Sequence, residues 1–336
     1  MDGRERTIRT VEFSKPDRIP REIWFHKATI QRYGGLLDEL LQEFPQDIAR
    51  LHGPMDRAFY DVSFTPGTFT DQWGSTWEVI QEGMIGEVKV PALTELEAVR
   101  DYALPVELLG PEWKKSGDIV RRKIDSARQA GQFVIGAQVE VFQRMQFIRG
   151  TENLFYDIGD DSEHLVILRD KVLEYFHTYL DYWLREDVDA IAFYDDWGSQ
   201  LSLLISPSAW KRLFKPAYEQ LIGRILQADK RVFFHCDGYI VELYPEFIEL
   251  GVHAINSQVW CMGLEQLAPF AGRITFWGEV DRQKTLAFGT PDDVFRLVQL
   301  MKEKLYRNGG LIGQSVAGVD VPLENIRALM ESWNKT

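Results

Sequence analysis

The chain has 336 residues, 45% of them hydrophobic, and its 38 basic against 51 acidic side chains give a net charge of -13. That balance argues against nucleic acid or an anionic membrane surface as the main partner, since both need a basic face. Two cysteines, Cys236 and Cys261, cannot build a disulfide framework, and the sequence has neither an apolar run of membrane-span length nor an apolar signal core in its opening MDGRERTIRTVEFSKPDRIP. A soluble, cytoplasmic, globular protein is expected.

IPREIWFH, residues 19–26, reads as a first strand. Residues 60–91 set alternating aromatics between Gly, Pro and Thr turns, which predicts an antiparallel β insertion. From about residue 130 short apolar runs alternate with amphipathic segments. FVIGAQV (133–139) is a strand, residues 163–185 carry helical spacing, and DAIAFYDDWG (189–198) is a buried strand ending in polar groups. SPSAWKRLFKPAYEQLIGRILQ (206–227) opens with an N-cap Ser and a Pro at the first helical position. RVFFHCDG is the next strand, VELYPEFIELG a helix, and VHAINSQVW (252–260) and ITFWGEVD (274–281) are strands. TPDDVFRLVQLMKEKLYRNGG (290–310) is a capped helix with a glycine stop, LIGQSV (311–316) a last strand and PLENIRALMESW a closing helix.

Strand–helix alternation at this spacing means a parallel sheet, and the near-continuously apolar strands suit one covered by helices. No Gly-rich phosphate loop follows the first strand. The pattern predicts an α/β fold, a (β/α)8 TIM barrel forming a single domain over residues 1–336, with the β-rich insertion near the barrel mouth.

Catalytic groups in such barrels sit at the C-terminal ends of the strands. Those ends carry Trp24 to His26, Glu140, Tyr194 to Trp197, His235 to Asp237, Asn256 to Trp260, Trp277 to Asp281, and Gln314 with Ser315. In RVFFHCDG, period-2 alternation puts His235 and Asp237 on one face and turns Cys236 away. An imidazole and a carboxylate so placed can chelate one cation or act as an acid–base pair over a substrate. A strand-end His bonded to a backbone carbonyl beside a helix-capping Asp gives the same pattern. Glu279 and Asp281 in WGEVD again share a face.

RERTIRTVEFSKPDRIP, VDAIAFYDDWGSQLSLLISPSAWKRLFKPAYEQLI, GTPDDVFRLVQ and DVPLENIRALM resemble segments of the uroporphyrinogen decarboxylase superfamily, and the resemblance covers nearly the whole chain. It implies a (β/α)8 barrel and either porphyrin decarboxylation or zinc-dependent methyl transfer with corrinoid proteins or coenzyme M. The decarboxylases carry Phe-x-Arg-Gln-Ala-Gly-Arg-Tyr after the first strand; here IWFHKATIQRYGG offers Lys27 and Arg32 and lacks the paired arginines. The methyltransferase motif is His-x-Cys-Gly, completed by a cysteine after the last strand. Here Asp237 stands where the ligand cysteine would be, and no thiol lies near Ser315.

On that resemblance the expected metal set is His235, Asp237 and Glu279, a zinc site of nitrogen and oxygen donors suited to polarising an ether or carbonyl oxygen. Trp24, His26, Tyr194, Trp197, Trp260 and Trp277 are expected to wall the pocket, and Asp195, Asp196, Asn256 and Gln314 to act on or orient the substrate. The implied enzyme is a methyltransferase of O-demethylase type. It would move a methyl group from a small methoxylated, aromatic or otherwise methylated compound to the corrinoid of a partner protein. No Asp-x-His-x-x-Gly corrinoid motif occurs in the chain itself. Uroporphyrinogen decarboxylation is the alternative, and a non-catalytic ligand-binding barrel the third reading. The oligomeric state is not legible.

Overall fold

A computed structural model describes residues 1–52 and 64–334. Eight parallel strands form its main sheet: β1 (Arg21–Phe25), β2 (Ile48–Leu51), β6 (Phe133–Val139), β7 (Ala190–Tyr194), β8 (Arg231–His235), β9 (Ala254–Asn256), β10 (Thr275–Gly278) and β11 (Leu311–Ala317). They pair in the order β1-β11-β10-β9-β8-β7-β6-β2. The remaining seam is bridged at its lower end, where the Asp47 N–H donates to the Arg21 carbonyl at 3.0 Å. The result is a nearly closed barrel, with helices such as Glu163–Trp183, Lys215–Gln227 and Pro291–Leu305 between strands.

Alternation along each strand feeds two separate cores. Ile48, Phe133, Ile135, Ala190, Ala192, Phe233, Ala254, Trp277 and Ile312 point inward and fill the lower lumen, where Phe233 meets Trp277 edge-on at 5.1 Å. Val11, from the helix Gly3–Val11, joins that cluster and seals the floor. Their neighbours Val134, Ile191, Phe193, Val232, Phe234, Ile255 and Phe276 face the helices. The lumen is therefore a packed apolar plug below and a polar chamber above.

Two local features aim the chamber's side chains. The register between β6 and β7 shifts between Gly136 and Val139, and Ala137 takes a left-handed φ of 69°. Such a bulge turns the strand end, and Gln138 and Glu140 beyond it line the mouth. Further on, the loops leaving β7 and β8 cross at Gly198 and Gly238. Gly238 has φ 85°, and a Cβ there would collide with the Gly198 carbonyl. This backbone-on-backbone crossing brings Asp196 and Asp237 together: the Asp237 N–H donates to Asp196 Oδ1 at 2.8 Å.

A second, antiparallel sheet, β3 (Gly67–Thr70), β4 (Thr76–Val79) and β5 (Glu87–Val90), lies within the expected insertion; residues 60–63 of that stretch fall outside the described residues. Asp71 organises its first turn by accepting from the N–H groups of Trp73 and Ser75 and from Trp77 Nε1, each at 2.9 Å. Trp77 then packs edge-on against Phe147 at 4.7 Å, tying the sheet to the helix after β6. Among the described residues no helix is long and apolar enough to cross a membrane.

Candidate active site

A cavity of about 460 Å³ lies between the barrel mouth and this small sheet. Trp73, Trp77, Phe147, Tyr175, Phe176 and Tyr179 supply rings around it. Its polar lining is Gln72, Gln138, Glu140, Gln143, Arg144 and, from the strand ends, Tyr194, Asp196 and His235.

His235 ends β8 with its ring in the lumen, 5.7 Å from the ring of Trp24 and 5.4 Å from that of Tyr194. Those two rings are held from below. Glu22, 4% exposed, accepts from Trp277 Nε1 at 2.7 Å and pairs with Arg50 Nε at 2.8 Å. The Arg50 guanidinium lies 3.6 Å over the Trp24 ring and donates to the Tyr194 hydroxyl at 3.3 Å. Burial raises the proton affinity of Glu22, and Arg50 partly offsets it.

Asn256 sits beside His235 in the β8–β9 register, and its Oδ1 lies 2.5 Å from His235 Nδ1. Its amide group cannot be reversed, because Nδ2 donates both to the Trp277 carbonyl, at 2.5 Å, and to Gln314 Oε1, at 2.8 Å. Oδ1 is thus an acceptor, and Nδ1 of His235 carries a proton. Nε2 is the free ring nitrogen facing the chamber, 3.7 Å from Asp196 Oδ1 and 4.0 Å from Asp237 Oδ1. Burial raises the proton affinity of Asp196; His235 opposes this and Asp237 adds to it.

Arg282, in the turn after β10, donates to Asp237 Oδ2 at 2.6 Å and to Glu279 Oε1 at 3.3 Å. Burial pushes the Glu279 carboxyl up to about 7, with Arg282 pulling the other way. Burial alone would lower the Arg282 proton affinity, but Glu279, Asp237 and Asp196 raise it.

The expected residues therefore divide. Tyr194, Asp196 and His235 line the cavity, while Trp24 lies beside His235 and Asn256, Gln314 and Trp277 lie beneath. Asp195 is a correction. It is fully buried on the helix side, where it accepts from the N–H groups of Val141 (2.9 Å) and Gln143 (2.7 Å) and from the Tyr218 hydroxyl (2.7 Å), holding the start of the helix Val141–Arg149. Trp197 is another: it stacks on Phe142 at 3.9 Å within the outer core. Trp260 donates to the Glu279 carbonyl at 3.0 Å and lines a separate small hollow, and His26 is exposed at the rim, outside the cavity lining. Cys236 turns from the lumen, its Sγ accepting from the Trp197 N–H at 3.2 Å, and burial raises its thiol far above the usual range.

The metal set is a further correction. The two carboxylates expected to ligate, Asp237 and Glu279, are already bridged by the Arg282 guanidinium. Among the described residues no group of three or more His, Cys, Asp or Glu side chains is placed to hold a metal ion. The side chains present do not fit the zinc implied by the resemblance.

A barrel whose mouth carries an imidazole, paired carboxylates and an aromatic-lined cavity has the layout of a TIM-barrel enzyme. Residues 79–336 match the family model described as uroporphyrinogen decarboxylase (URO-D), and the chain belongs to that family. A methyltransferase from Methanosarcina mazei is similar along 100% of this chain and 99% of its own, with a TM-score of 0.74 and 14% identity. A chitinase from Chromobacterium violaceum is a looser likeness, with a TM-score of 0.42 and 6% identity over 95% of this chain and 99% of its own. No curated protein matched the sequence.

Proposed function

We propose that the protein is a methyltransferase that removes a methyl group from a small methoxylated aromatic compound and passes it to a corrinoid carried by a separate protein. One observation carries the reading: His235 presents a free Nε2, beside Asp196, at the inner end of a ring-walled cavity of small-molecule size. The overall likeness to a methyltransferase supports it at the level of fold.

The rings of Trp73, Trp77, Phe147 and Tyr175 suit a flat aromatic body. Arg144 lines the cavity with its guanidinium over the Trp73 ring and would pair with a polar substituent on that body. The ether oxygen would then lie toward His235 and Asp196. As the methyl–oxygen bond breaks, that oxygen keeps the bonding pair and takes a proton from the Asp196 carboxyl, which stands beside His235 Nε2 and whose proton affinity burial raises, and this removes the cost of a free phenolate. The corrinoid, when docked, supplies the electron pair that receives the methyl group. Ile80, Met84 and Ile85, between β4 and β5, and Leu201 after β7 are exposed apolar residues, and Ile85 also lines the cavity; they are suited to contact with the carrier.

The test is anaerobic incubation with methoxybenzoates and free cob(I)alamin, following methylcobalamin by absorbance and the demethylated product by mass spectrometry. Product from the wild type and its loss in His235→Ala support the reading. Family membership keeps porphyrinogen decarboxylation as a second reading. Among the described lining residues the one guanidinium is Arg144, already bonded to Glu140 at 3.0 Å, a poor counter-charge for a substrate with many carboxylates. Coproporphyrinogen formation without methyl transfer would replace the first reading by the second.

A further inference from the structure

We propose that Arg282 is the resident cation of this site and occupies the place a divalent metal would need. The observation is its position: the planar guanidinium spans two carboxylates from different strand ends, with Nη2 2.6 Å from Asp237 Oδ2 and Nη1 3.3 Å from Glu279 Oε1. Joining two loops through two oxygens is what a bridging metal does. An ion at ligand distance from both, about 2 Å, would overlap the guanidinium.

The surroundings suit a fixed positive charge. Glu279 is 2% exposed, and the Arg282 side chain retains 24% of its exposure, so neither partner is freely solvated. Asp196 adds a third negative group to the field that favours charged Arg282. A guanidinium does not lose its proton at any working pH and carries its own donor geometry, so Asp237 and Glu279 stay fixed without an exchangeable ion. His235 Nε2 is consequently left for substrate rather than committed as a ligand.

The substitution also has a hidden converse. Asp237 Oδ1 is buried, has no hydrogen-bond partner among the described residues, and lies 4.0 Å from His235 Nε2. Without Arg282, two carboxylates and an imidazole would face one another with no cation between them. As placed, His235, Asp237 and Glu279 do not converge on one ion; with Arg282 gone the loops that carry the two carboxylates are no longer tied apart, and their repulsion is relieved by closing with His235 around a recruited cation. The inference concerns the charge of the site and does not depend on methyl transfer, so either can fail alone.

The experiment uses the whole chain, purified without chelators. Elemental analysis should find substoichiometric zinc in the wild type, and calorimetric titration with zinc chloride should show no stoichiometric site. Arg282→Met should gain such a site, at least about tenfold tighter than any binding by the wild type, and His235→Ala in that background should abolish it. Arg282→Lys, which keeps a cation, should remain without metal. Circular dichroism and a thermal melt establish that each variant is folded; should Arg282→Met fail to fold, Arg282→Gln is titrated in its place. Stoichiometric zinc in the wild type that is lost in His235→Ala would overturn the proposal. So would a folded Arg282→Met that binds zinc no better than the wild type.

Discussion

The side-chain oxygen of Asn256, 2.5 Å from Nδ1 of His235, decides which edge of the imidazole faces the cavity as a free nitrogen. It can do so because Trp277 and Gln314 hold its other end. In Asn256→Leu the tautomer preference should disappear, visible as mixed Nδ1–H and Nε2–H signals in nitrogen-15 spectra of the histidine ring. Gln314 Oε1 would also lose its donor in a fully buried setting, so a stability loss of about 1–3 kcal/mol is expected in denaturant unfolding.

The adjacent aspartates offer a clean contrast. Asp195→Asn disturbs an acceptor of two backbone N–H groups and a Tyr hydroxyl and should destabilise the protein by about 1–3 kcal/mol. Turnover per folded molecule should stay near the wild-type level. Asp196→Asn should do the reverse, leaving the melt within a few degrees while turnover falls about 10²-fold or more. An equal effect of both on turnover would show that the orientation of the pair has been misassigned.

Glu279 gives a stability trend with a definite sign. Its folded carboxyl titrates near 7, above an unfolded value near 4.5. The folded state therefore holds the proton more tightly. Its contribution is fully present below about pH 4.5 and is lost as pH rises through 7. Glu279→Gln, which stays neutral, should gain on the wild type between pH 5 and pH 8 by on the order of 2 kcal/mol. Parallel melts at the two pH values measure it; a pH-independent difference would contradict it.

Gly238→Ala should be among the costliest small substitutions at the mouth. It forces a Cβ onto a residue at φ 85° and against the Gly198 carbonyl. Strain of about 1–3 kcal/mol is expected before any clash is relieved. Relief must part the loops that carry Asp196 and Asp237, so turnover should fall further than stability does. Gly263→Ala, also at positive φ but with open space around it, should cost stability alone.

Much of the barrel was readable because its strands are apolar runs between well-marked helices, and the alternation in RVFFHCDG is what places His235 in the lumen and Cys236 outside it. β2 escaped notice: IARL is four residues long and carries Arg50, whose charge makes sense only once Glu22 and Trp24 surround it. The same alternation applied to AFYDD sends Asp195 outward after inward-facing Tyr194, so the two adjacent aspartates divide between the helix side and the lumen. Trp73, Trp77, Phe147 and Tyr175 come from the small sheet and two helices, and nothing local to those segments marks them as one wall. Glu140 and Arg144 did carry a signal, a strand-end acid followed four residues later by a base on the next helix. Arg282 has no local signal beyond its place three residues after Glu279, because its second partner, Asp237, comes from another strand end.

The helix that seals the barrel floor couples distant parts of the chain in time as well as space. Its carbonyl at Thr10 accepts from Gly310 at 2.8 Å, and Val11 packs with Ile312 of the last strand. Residues 3–11 leave the ribosome long before residues 310–312 exist to receive them. Until then Val11 lacks its partner Ile312, and the floor of the lumen is incomplete. Final closure must wait for synthesis of β11, so this enzyme is expected to spend most of its translation as an open, chaperone-sensitive sheet rather than as a barrel growing strand by strand.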